Sequence, residues 1–81
     1  MKVREEVKWF AEQMEEVLRK NDYKGGWQDC TRFDLLCRLY DEATELFGAA
    51  VRETSNETII KEAVDVANFA MMIADIARRQ P

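Results

Sequence analysis

Four carboxylates stand out by type and spacing: Glu42 with Glu45, and Glu62 with Asp65. The members of each pair lie three residues apart, so on a helix each pair projects from one face, about one turn apart. Asp65 sits inside Ala63-Val64-Asp65-Val66-Ala67. In such an apolar run an ionised carboxylate is costly unless something pairs with it. Glu45 stands beside Leu46 and Phe47, one helical step from an apolar seam. Two such pairs on adjacent antiparallel helices can converge on one point. Converging carboxylates repel one another, so a cation belongs among them, and all-oxygen ligation selects the hard divalent ions Mg²⁺ or Mn²⁺. Di-iron bundles also use carboxylate pairs, but with Glu-x-x-His motifs, and this chain has no histidine. The bland alternative is that each pair is an ordinary solvated helix face.

Three helices are expected to position these residues. The first runs from about 3 to 20, where Val3, Val7, Phe10, Met14 and Val17 step by 4, 3, 4 and 3. Asn21-Asp22 and Gly25-Gly26 end it. The second is expected from about 31 to 53. Thr31 with Asp34 has capping-box spacing, and Leu36, Leu39, Ala43, Leu46 and Ala50 form the seam. The third is expected from about 55 to 78, opened by Thr54 with Glu57 and closed by Arg78 and Arg79 at the negative end of its dipole. It is apolar nearly all round. Ile60, Ala63, Ala67, Ala70, Ala74 and Ala77 make one seam, and Val66, Phe69, Ile73 and Ile76 make another. A helix with two apolar seams is buried against at least two neighbours. Part of that surface is therefore expected to be a subunit interface in a bundle of four or more helices.

Between the first two helices, Asn21 to Cys30 carries Tyr23, Lys24 and Trp27 around two glycines. Either the aromatics fold back to cap the core, or the segment is a substrate-binding loop, since loops on helical scaffolds often carry function.

Composition bounds the rest. With 81 residues the chain is one domain at most, too short to bury a large core alone. One proline and three glycines favour long helices. The net charge is −4, from 16 acidic and 12 basic residues, and no basic tract stands out, so duplex nucleic acid is not expected as a partner. No apolar run approaches the roughly 20 residues that span a membrane. No signal peptide is recognised, so the cytoplasm is the expected compartment and Cys30 and Cys37 read as reduced thiols. Without histidine, zinc has too few soft ligands.

Leu39-Tyr40-Asp41-Glu42-Ala43-Thr44-Glu45-Leu46, followed by Glu62-Ala63-Val64-Asp65-Val66-Ala67-Asn68-Phe69, resembles the MazG-like all-alpha nucleotide pyrophosphohydrolases, whose signature is ExxE on one helix and ExxD on the next. Lys20-Asn21-Asp22-Tyr23-Lys24-Gly25-Gly26-Trp27 looks like the loop of a short phage and prokaryotic branch of that family. The likeness runs from roughly Trp9 to Ala77. It implies a three-helix all-α subunit in a four-helix-bundle-type assembly, a homodimer or homotetramer with sites near subunit interfaces. It also implies hydrolysis of a nucleoside triphosphate to the monophosphate and pyrophosphate, with Mg²⁺ held by Glu42, Glu45, Glu62 and Asp65. Larger members carry further helices around the nucleotide, and here either a neighbouring subunit supplies that wall or the site is open and less selective.

Within this reading the general base has to be a carboxylate, Glu45 first and Glu42 second, because no histidine is available. Trp27 is a candidate to stack on the base and Phe69 to form a pocket wall. Asn68 either bonds a base edge or sugar hydroxyl or pairs with another buried polar group, and Lys24 and Lys61 either meet phosphates as point charges or are ordinary surface lysines. Asp41 joins or merely flanks the metal site, and Trp9 is assigned to packing. Two other classes stay open: a non-catalytic helical interaction module, and a protein that senses a nucleotide without hydrolysing it.

Overall fold

The computed structural model describes residues 1–81. Three α-helices and one short 3₁₀ turn make up the chain, with no strand: α1 is Glu5–Asn21, the turn is Asp22–Lys24, α2 is Arg32–Val51 and α3 is Asn56–Arg78. The expected all-helical class is observed, with every helix end within two residues of its expected place.

Local chemistry explains the ends. Glu5 and Glu6 open α1, and Arg19 and Lys20 close it, matching the helix dipole. Val3 lies before the helix and is exposed. Thr31 caps α2, its hydroxyl accepting from the Asp34 amide at 3.1 Å. Beyond Val51 the chain makes a Schellman closure. The Thr54 amide donates to the Ala49 carbonyl, the Glu53 amide donates to the Ala50 carbonyl, and Glu53 takes the left-handed conformation at φ 54°. The cap of α3 is Ser55, not Thr54. The Ser55 hydroxyl accepts from the Thr58 amide at 3.1 Å, while the Thr54 hydroxyl donates to the Ala49 carbonyl at 3.0 Å. The end of α2 thus claims the side chain that the sequence spacing assigned to the start of α3.

α3 is the central rod. It packs on both α1 and α2, which do not pack on each other. The two apolar seams expected for α3 are only partly covered by these two neighbours. Its most buried apolar residue is Val64, at 2% exposure, a position in neither expected seam. Ile60, Ala70, Ala74 and Ala77 remain exposed.

On α2 the expected single seam divides into two stripes. The inner stripe is Leu35, Leu39, Glu42, Leu46 and Ala49, stepping by 4, 3, 4 and 3, and each of these residues is buried or half-buried. Leu36, Ala43 and Ala50 belong to an outer stripe and are exposed. The expected seam mixed the two because apolar residues cover most of the helix circumference. Glu42 thus occupies a core-facing position.

Only six of 81 residues are buried, so the chain is an open arrangement of rods with a thin core. No helix is long and apolar enough to cross a membrane.

Candidate metal centre and adjoining cavity

The inner stripe of α2 delivers Glu42 to α3, where Glu62 and Asp65 meet it. One carboxylate oxygen from each of the three lies within 4.8 Å of the others, and all three residues are half-buried. Oxygens that each sit about 2.1 Å from Mg²⁺ are at most about 4.2 Å apart. Three such oxygens cannot all stand opposite one another, and neighbouring ones lie about 3.0 Å apart, so the carboxylates must draw closer than their present spread of up to 4.8 Å to share one ion. Glu42 Oε2 and Glu62 Oε2 are buried with no hydrogen-bond partner. Orphaned acceptors of this kind carry a desolvation cost that a cation relieves.

Glu45 is exposed and stands outside the tight group. Its nearness still bears on the cluster, because Glu45 is among the causes that raise the pKa of Glu42 and of Glu62. Burial is the largest cause for Glu42, followed by Glu45 and the repulsion of Asp65 and Glu62, and together they push its pKa from 4.5 up to about 7. Glu62 is raised as well, first by burial, with Lys61 working against the shift. Lys61 places its ammonium 3.6 Å from Asp65 and 3.7 Å from Glu62, and these carboxylates raise its own pKa. It is thereby a partial counter-charge to the cluster. Asp41 is exposed on α2 and stands outside the cluster.

Next to the cluster lies a cavity of about 300 Å³. Its floor is α3 through Asp65, Asn68, Phe69 and Met72, and its walls are the end of α1, the Asp22–Trp27 loop, and Leu35 and Arg38 of α2. Lys24, Trp27, Asn68 and Phe69, singled out in the sequence as substrate contacts, all line it, and Lys61 does not. Gly25 turns the loop over the cavity at φ 91°, a conformation that side chains rarely adopt. Asn68 is 4% exposed. Its amide nitrogen donates to the Met14 carbonyl at 3.4 Å, and its Oδ1 is a buried acceptor without a partner.

The loop aromatics separate. Tyr23 is 82% exposed and covers nothing, whereas Trp27 folds back. Its indole N–H donates to Asp75 Oδ2 at 3.0 Å, so the tryptophan both caps the core and lines the cavity. Asp75 is 6% exposed and is also held by Arg78 at 2.8 Å and Arg79 at 3.1 Å. Arg78, Trp27 and Arg79 together draw its pKa below the ordinary aspartate value. Trp9, exposed on α1, has only Phe10 as an aromatic neighbour, at 5.9 Å.

Sequence reasoning missed Arg38 and Asp75. Arg38 lines the cavity with its guanidinium 6.0 Å from the centre of the Phe69 ring. Its signal was position, one turn before Glu42 on the same helix. Asp75 was legible from arginines three and four residues later, a spacing that pairs charges across one helical turn.

No protein-family model, curated protein or solved structure matches the chain. The functional reading is carried by the site's own chemistry.

Proposed function

We propose that the chain is a Mg²⁺-dependent nucleoside triphosphate pyrophosphohydrolase acting as a homo-oligomer, with Mn²⁺ as an alternative ion. The observation that carries this reading is adjacency: an all-carboxylate cluster with orphaned oxygens and an aromatic-lined cavity share one residue, Asp65. A nucleotide has two chemically unlike ends, and the two halves of this site match them.

Glu42, Glu62 and Asp65 would hold the ion, with Glu45 at the edge. A bound divalent ion supplies charge screening for the polyphosphate and a more acidic water. The chain's own residues do the remainder. Lys24 and Arg38 stand on the cavity wall, where they offset phosphate charge. Phe69 and Trp27 offer apolar ring surface to a base. Asn68 Oδ1, its amide fixed by the bond to Met14, accepts from an N–H or O–H of the nucleoside. Glu45 is the general base. It is the carboxylate of the four that faces solvent, so it can take a proton from the attacking water and pass it to bulk. The water oxygen bonds to phosphorus, the bridging P–O bond breaks, and pyrophosphate leaves with the bond's electron pair.

The Lys61 bridges favour a second reading, in which the cluster is a structural ion network without turnover. Glu45→Ala separates the two. As general base, its removal abolishes pyrophosphate release while circular dichroism stays helical. Substantial remaining turnover rejects the assignment, and a wild type with no Mg²⁺-dependent turnover on any triphosphate supports the structural network.

A further inference from the structure

The outer stripe of α2 is the largest feature that the proposed site does not use. Phe33, Leu36, Tyr40, Ala43, Phe47 and Ala50 step along the helix by 3, 4, 3, 4 and 3 and face away from α3. The large ones are bare: Phe33 is 72% exposed, Leu36 55%, Tyr40 74% and Phe47 71%, and Val51 beside them is 63% exposed. Five such side chains present about 600 Å² of apolar surface, given that one aromatic offers roughly 150–250 Å². Lone soluble subunits seldom carry a larger patch than this.

The geometry points to a second copy of this chain as the occupant, packed α2 against α2 in antiparallel fashion about a two-fold axis midway between Tyr40 and Ala43. Three observations select that partner. First, the step pattern reads the same in both directions, so an antiparallel copy meets the stripe in register along its whole length. Second, that register sets small residues against large ones. Phe33 meets Ala50 of the partner subunit and Tyr40 meets Ala43 of the partner subunit, while Leu36 meets Phe47 of the partner subunit. A parallel pair would stack Phe33 and Tyr40 on themselves and leave a void between facing alanines, which close packing disfavours. Third, the area is adequate. If fully covered, the two stripes with their neighbouring Val51 side chains remove at most about 1,200 Å² from water, at the lower end of the range for stable interfaces. With only six buried residues per subunit, the pairing would also supply core that the lone chain lacks.

α2 then stands between its own α3 and its partner, with the inner stripe facing the acidic cluster and the outer stripe facing the second copy. The pairing does not depend on the nucleotide chemistry proposed above and is tested without metal or nucleotide.

The experiment is light scattering on the full chain and on L36E and F47K, alone and mixed. The wild type is expected at twice the 9.5 kDa chain mass. Each variant alone is expected to run as a monomer, and the equimolar mixture to regain the doubled mass. In the mixture one site joins the introduced carboxylate to the introduced ammonium and the other keeps the native leucine–phenylalanine contact. Should the lone variants also lose helix, the mixture regains helix and mass together, since folding and pairing are then linked. A monomeric wild type, variants that keep the wild-type mass, or a mixture that fails to assemble each overturns the antiparallel pairing.

Discussion

Trp27 and Asp75 are 48 residues apart in the chain and are joined by one hydrogen bond, the indole N–H donating to Oδ2 at 3.0 Å. This bond fastens the loop over the cavity to the far end of the central helix. A hydrogen bond to a charged acceptor contributes about 1.5–3 kcal/mol. Trp27→Phe keeps the ring and removes the donor. It is expected to lower stability by about 1–2 kcal/mol, with Arg78 and Arg79 still holding Asp75. Turnover kinetics should show a raised KM with a smaller change in kcat, because the carboxylate cluster is untouched. An unchanged KM would separate the loop from substrate binding.

Glu42 sets the pH response. Its folded pKa is about 7 against an ordinary 4.5, so between these values the folded chain keeps a proton that the unfolded chain releases. The stability it contributes is fully present below 4.5 and is lost as pH rises through about 7. Glu62 is shifted in the same sense. Asp75 is shifted in the opposite sense, and its contribution is lost only on the acid side of the ordinary aspartate value. Without divalent metal the melting temperature should therefore fall between about pH 5 and about pH 8. Glu42→Gln should flatten that slope. Mg²⁺ should raise the melting temperature more at the alkaline end, where no proton competes for the carboxylates.

Glu53 holds the left-handed position that closes α2, where glycine is the common residue. Glu53→Gly removes the Cβ strain at that φ while leaving both closing hydrogen bonds in place. A gain of about 0.5–1 kcal/mol is expected in urea unfolding, with metal-dependent turnover unchanged.

Leu35 is 2% exposed and is the largest fully buried side chain. It lies on the inner stripe of α2 and also lines the cavity. Leu35→Ala should cost about 2–5 kcal/mol. In a chain with so small a core this is a large share of the total, so loss of cooperative unfolding near room temperature is expected in calorimetry. Leu36→Ala, one position away on the outer stripe, should instead weaken self-association.

The helices were legible because their signals are local: 3-and-4 apolar spacing, a threonine cap and a glycine-rich break. Glu62 with Asp65 was legible for the same reason, since three-residue spacing sets them on one face, whereas Glu45 parts from Glu42 and stays outside the tight group. Which face of α2 turns inward was not legible. Apolar residues surround most of that helix, and choosing between Leu35 and Leu36 requires knowing that α3 alone packs on it. The arginine spacing pointed to Asp75, but its bond to Trp27 stayed hidden, because the loop is 48 residues away and no spacing rule links the two. The convergence of Glu42 on Glu62 and Asp65 depended on an antiparallel crossing that the short connection between α2 and α3 makes natural.

The most direct test of the central claim is a pyrophosphate-release screen of the purified chain over standard and modified nucleoside triphosphates, with Mg²⁺ and with EDTA. The expected result is release of pyrophosphate and the nucleoside monophosphate from at least one triphosphate with Mg²⁺, abolished by EDTA and by Asp65→Asn. Equal release in Mg²⁺ and EDTA, or none on any triphosphate from a folded, metal-supplied protein, would contradict a catalytic role for the three converging carboxylates.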